Sequence, residues 1–133
     1  GMVDALAHLG RLVQMEFWNF FPMAEDDLKD LAARHSDILP HLRDAILKCR
    51  AQGRYVEVKN FPECLLGELG DALVNAQPML EIDPDFWKEC DRNGFYGCPH
   101  QATCGSTECL GLTTAYKAKF GDESALLTPL PKA

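Results

Sequence analysis

Leu12-Val13-Gln14-Met15-Glu16-Phe17-Trp18-Asn19-Phe20-Phe21, closed by Pro22, decides how the chain is read. β-Branched, aromatic and long apolar residues fill it, which is the composition of a strand. One face carries Val13, Met15, Phe17 and Phe21, and the other carries Gln14, Glu16 and Trp18. A second strand is expected over Tyr55–Asn60, where Val56 and Val58 alternate with Glu57 and Lys59. Between them, Ser36 caps a helix running to about Gln52, with Ile38, Leu39, Leu42, Ala45, Ile46 and Cys49 on one apolar stripe. Cys49 reads as a core residue of that stripe. Strand, helix and strand with a crossover of this length make a parallel βαβ unit.

Shorter elements surround this unit. Val3–Leu9 reads as a helix closing at Gly10, and Ala24–Arg34 as one or two exposed, acidic helical turns. After Asn60 the character changes. Leu65–Val74 suits a short helix, Asn75–Ile82 a connector, and Asp83-Pro84 a cap and first turn for a helix through Cys90. A last helix is expected over Leu110–Phe120, closed by Gly121, with Ser124–Ala133 as a tail. The fold class is therefore α/β: a partial βαβ unit over 2–62, then a Cys-rich, mostly helical and irregular extension over 63–133, together one compact domain. Two strands are too few for a stable parallel sheet. Either a second copy of the chain, giving a homo-oligomer, or a partner chain is expected to complete it.

The extension carries Cys90, Cys98, Cys104 and Cys109 within twenty residues, and Cys64 lies upstream. Thiolates are soft ligands for zinc or iron–sulfur clusters, and either centre holds together a loop that packing alone would leave irregular. Cys98, Cys104 and Cys109 are the first three candidate ligands. The fourth is Cys90 by proximity. His100 reads first as an exposed loop histidine, with replacement of a thiolate at zinc as the alternative. Two disulfides plus free thiols are the remaining reading.

Composition narrows the function classes. A net charge of −7 over 133 residues, with scattered Lys and Arg, argues against nucleic acid. No apolar run approaches the ~18 residues of a membrane span. Gly1-Met2-Val3-Asp4 does not resemble a secretion leader. A reducing cytoplasm is thus expected, where cysteine clusters more often bind metal than form disulfides. His8, His35 and His41 read as surface histidines. Glu16, Glu57 and Lys59 read as a solvated strand face with cross-strand pairing.

Taken in order, Asn60-Phe61-Pro62-Glu63-Cys64-Leu65-Leu66-Gly67, then Cys98, Cys104 and Cys109-Leu110-Gly111-Leu112, then Tyr116 and Phe120-Gly121-Asp122-Glu123 form a pattern. The pattern resembles the C-terminal portion of radical S-adenosylmethionine (radical SAM) Fe–S oxidoreductases that carry an auxiliary cluster. The resemblance covers roughly residues 11–131. It implies a half-barrel-like βαβ unit, a [4Fe–4S] cluster and Cys64 as the fourth ligand. The departures are equally specific. The radical-generating Cys-x-x-x-Cys-x-x-Cys is missing, since the cysteines stand at 49, 64, 90, 98, 104 and 109. The resemblance therefore implies cluster binding without S-adenosyl-L-methionine cleavage by this chain alone. A zinc-stapled interaction module is the alternative.

Overall fold

The computed structural model describes residues 1–23, 27–76 and 81–132. Its centre is the expected βαβ unit: β1 (Gln14–Trp18), the long helix α2 (His35–Ala51) and β2 (Tyr55–Lys59). The strands pair in parallel, with Gln14 opposite Tyr55 and Trp18 opposite Lys59. Both are shorter than their apolar runs. Beyond Trp18 the chain leaves the sheet, and Phe21 packs edge-on against Phe95 at 5.1 Å between ring centres.

Leu42, Ile46 and Cys49 on α2 are buried against Val56 and Val58 of β2, with Phe61, Leu66 and Leu73 closing the same core. Cys49 is fully enclosed there, as its place on the stripe requires. The N-terminal helix α1 (Met2–Ala5) is shorter than expected and contributes Val3 to this core. Buried Arg54 terminates the segment behind α1, donating to the Leu6 and Leu9 carbonyls at 2.7 and 3.2 Å. The same carbonyls accept the Leu9 and Leu12 N–H groups at 3.1 Å, so the guanidinium fastens a run of turns.

Past β2, Asn60 takes a left-handed φ of 57° and turns the chain into α3 (Glu63–Leu66) and a 3-10 turn over Gly67–Ala72. Leu73 then bridges to Val58 on the outer edge of β2, and the Val74 N–H donates to the Val58 carbonyl at 3.1 Å. The β1 edge has no such neighbour among the described residues. Opposite α2, the sheet shows Trp18 and Tyr55 to solvent at 58% and 56% exposure. Lys59 on this face is buried and paired to Glu57 at 2.8 Å, so the strand charges are more enclosed than a solvated face would be.

Two sequence expectations fail in instructive ways. Within 24–34, residues 24–26 lie outside the described part, and Asp27–Asp30 is a hydrogen-bonded turn rather than a helix. Asp27 is folded inward, accepting from Lys119 at 2.8 Å and from the Ala32 N–H at 2.7 Å. Histidine 35 is the second case. It is 3% exposed, not a surface residue, and stacks on Tyr116 at 4.0 Å. The remaining helices are α4 (Pro84–Asp91), capped by the Asp83 side chain as its sequence predicts, and α5 (Thr114–Phe120), capped by Thr113. The connector ahead of α4 includes 77–80, which lie outside the described residues. No helix among the described residues is long and apolar enough to cross a membrane.

Candidate metal centre

Three separate stretches of chain build one cavity. The first is α3, which presents Cys64 on its first turn just after the buried Pro62. The second is the loop between α4 and α5. Its limbs are held together by Tyr96 N–H to the Leu110 carbonyl at 2.7 Å and Gly97 N–H to the Leu112 carbonyl at 3.0 Å. This pairing brings Cys98 and Cys109 to the same place, while the turn from Cys98 to Cys104 closes through Cys104 N–H to the His100 carbonyl at 2.9 Å. The third stretch is 127–130. Leu127 is buried, and Leu130 accepts from the Gly105 N–H at 2.8 Å.

The result is a cavity of about 30 Å³ bordered by Cys64, Cys98, Cys104 and Cys109, with His100, Glu63 and Ser106 also in its wall. The same loop cysteines border a second cavity of about 50 Å³ on the other side, shared with Tyr96 and Gln101. Tyr96 is 54% exposed, so this side lies close to the surface. Cys90 sits on α4 and is not among the residues lining either cavity. Of the five candidate residues, Cys64, Cys98, Cys104 and Cys109 line the cavity and Cys90 does not. All six cysteines are free thiols, and among the described residues no three His, Cys, Asp or Glu side chains form a set drawn in around a single ion.

Three of the four sulfurs receive a backbone N–H. His100 N–H donates to Cys98 Sγ at 3.4 Å, Leu130 N–H to Cys104 Sγ at 3.3 Å, and Gly111 N–H to Cys109 Sγ at 3.3 Å. Such donors favour the thiolate over the thiol. The Thr128 backbone beside Cys64 acts in the same sense on its thiol. Burial acts against them. It pushes the Cys64 thiol up, and the negative charges of Cys109, Cys98 and Cys104 add to the rise. Burial likewise raises Cys109, against donation from the Glu63 and Gly111 backbone and with repulsion from Cys98 and Cys104. Cys64 and Cys109 thus share one electrostatic neighbourhood with Cys98 and Cys104.

The loop is tied to α3 by polar contacts as well. Ser106 Oγ donates to the Glu63 carboxylate and accepts the Cys109 N–H at 3.0 Å. Glu108 accepts the Asn75 N–H at 2.7 Å, and the Asn75 side chain in turn accepts the Asn60 N–H at 2.9 Å. Gly111 has φ 72°, and a Cβ there would lie 3.0 Å from the Tyr96 Cα, so the closeness of the two limbs depends on glycine.

Residues 124–133 were expected to be a tail, yet Leu130 supplies the N–H to Cys104 Sγ, and Leu127, Thr128 and Pro129 line the cavity. The pattern Leu126-Leu127-Thr128-Pro129-Leu130-Pro131 carried a signal, because apolar residues between prolines suit an extended, packed segment. Glu123, in the Gly121-Asp122-Glu123 sequence, is likewise structural. Its side chain is 5% exposed and accepts the Tyr116 hydroxyl at 2.5 Å, with Arg34 at 3.5 Å.

No family model matches the chain, and comparison with curated proteins and with solved structures gives no match either.

Proposed function

We propose that the chain binds a [4Fe–4S] cluster through Cys64, Cys98, Cys104 and Cys109, as the cluster-bearing part of a radical SAM-like oxidoreductase. One observation carries the reading: four cysteines from two distant stretches border one cavity, and the sulfurs of Cys98, Cys104 and Cys109 each accept a backbone N–H. Hydrogen bonds to ligand sulfurs are a principal means of tuning iron–sulfur centres. The donor set fits the group, since such a cluster takes four thiolates. When bound, it supplies one-electron chemistry. The chain's own part is to hold four thiolates, orient them with N–H donors and keep one side near the surface at Tyr96.

The lack, among the described residues, of any three His, Cys, Asp or Glu side chains drawn in around one ion favours a cluster over zinc. A tetrahedral zinc about 2.3 Å from each sulfur draws the sulfurs to roughly 3.8 Å of one another. A cluster uses one thiolate per iron and accepts ligands set further apart. Here the thiols ring a cavity rather than meeting at a point. A reducing compartment, the cytoplasm in our reading, suits six free thiols.

We also take the βαβ unit to be an incomplete, half-barrel-like sheet. The unpaired β1 edge and the exposed Trp18 and Tyr55 support completion by a partner chain or a second copy. Four thiolate ligands leave no iron open, so S-adenosyl-L-methionine cleavage is not assigned to this chain. Anaerobic reconstitution with iron and sulfide tests the reading. Brown protein with about four irons and four sulfides per chain is expected. A colourless protein holding one zinc overturns it, and 5′-deoxyadenosine formed from S-adenosyl-L-methionine and dithionite would overturn the closed-cluster assignment.

A further inference from the structure

His100 borders the cavity of the four sulfurs, and its Nε2 is buried without a hydrogen-bond partner among the described residues. A buried polar atom left unpaired is costly, so such atoms point to a missing partner. The backbone of the same residue already serves the site, donating to Cys98 Sγ at 3.4 Å. Every polar group facing the cavity from the cysteines is an acceptor once the thiols are ionised. A neutral imidazole carries one N–H and one lone pair. A proton on Nε2 would let this unpaired atom donate to such acceptors.

We infer that the His100 side chain is a hydrogen-bond donor to the cluster, Nε2–H to a cluster sulfur, and so sets its reduction potential. The inference rests on the cluster reading above. Four thiolates already complete the ligand set, which leaves the imidazole as donor rather than ligand. A donor to sulfur stabilises the reduced, more negative cluster more than the oxidised one, and therefore raises the potential. His100 is a positioning and tuning residue, with no bond to iron.

The test uses the reconstituted full chain, its His100→Leu and His100→Gln variants, iron and sulfide analysis, and potentiometric titration followed by electron paramagnetic resonance. Wild type and both variants are expected to hold the same iron and sulfide. In His100→Leu the reduced-to-oxidised ratio at a fixed potential is expected to fall about tenfold, a 59 mV shift for a one-electron couple. His100→Gln, which keeps an N–H donor, is expected to restore part of that shift. With nitrogen-15 histidine, the reduced cluster should show only the weak coupling of a through-hydrogen-bond contact. Loss of iron in both variants, or strong nitrogen coupling, makes His100 a ligand and overturns the inference. An unchanged potential in His100→Leu overturns it as well. If wild type itself takes up no iron, the cluster reading fails first, and the metal analysis shows that separately.

Discussion

Tyr116→Phe isolates the contact that ties the sheet unit to the cysteine-rich half. The hydroxyl accepts the His35 N–H at 2.8 Å and donates to Glu123 Oε2 at 2.5 Å, and all three groups are buried. Phenylalanine keeps the ring stack on His35 at 4.0 Å and the contact with Phe120 at 5.0 Å, so packing is spared. What is lost is an acceptor for a buried N–H, about 1–3 kcal/mol, and a bond to a carboxylate, about 1.5–3 kcal/mol. Arg34 remains 3.5 Å from Glu123 and softens the second loss. The expected total is about 3 kcal/mol, or roughly 10 °C in Tm for a chain of this size. Urea titrations of wild type, Tyr116→Phe, Glu123→Gln and the double variant, in one metal state, give the total and the coupling. The two single changes should be strongly non-additive, by about 1 kcal/mol or more. A loss under about 1 kcal/mol, or simple additivity, would refute the view that this hydroxyl joins the two halves.

Three further outcomes are expected. Burial holds His35 down to about 4 from its ordinary 6.5, and Asn19 Nδ2 at 3.2 Å from Nε2 suits the neutral ring. Glu123 Oε2, 3.7 Å from Nδ1, does not reverse this, because it lies beyond hydrogen-bond reach and already takes the Tyr116 hydroxyl. Below pH 6.5 the unfolded chain binds the proton that the folded chain refuses. Stability should therefore fall by about 3 kcal/mol as pH drops from 6.5 to 4, and wild type should lose more than His35→Gln in urea melts across that window. At Gly105, a Cβ would lie 2.7 Å from the Pro131 carbonyl carbon and 2.8 Å from Lys132 Cα. Gly105→Ala should displace 128–132, cost about 1–3 kcal/mol in thermal melts and speed iron loss to a chelator. Sedimentation should show self-association, or capture of an added partner chain, through the open β1 edge. A strict monomer at high concentration with no such capture would count against an incomplete sheet.

What was legible in the sequence is local. The βαβ unit could be read because its apolar stripe and alternation repeat within a few residues, and the stripe residues Leu42, Ile46 and Cys49 are buried as that pattern implies. The α4 cap, Asp83, is equally local, whereas α5 begins at Thr114 rather than Leu110, and Ser36 lies inside α2 instead of capping it. Cysteine clustering marked the loop, but proximity in sequence pointed to Cys90 and only the resemblance pointed to Cys64. The chain's path separates them, by sending α3 back against the loop through Glu63 and Ser106. His35 and Tyr116 are 81 positions apart, and Leu130 and Cys104 are 26 apart. Neither contact leaves a periodic trace. The tail was misread for the same reason, since its partners are backbone groups and sulfurs contributed by distant residues.

The most direct measurement of the central claim is iron and sulfide content after anaerobic reconstitution, with serine placed at each of the six cysteines in turn. Cys64→Ser, Cys98→Ser, Cys104→Ser and Cys109→Ser should each lower cluster content sharply and weaken the visible absorption. Cys49→Ser and Cys90→Ser, away from the cavity, should retain wild-type iron once soluble protein is obtained. Full iron in Cys64→Ser together with loss in Cys90→Ser would contradict the account.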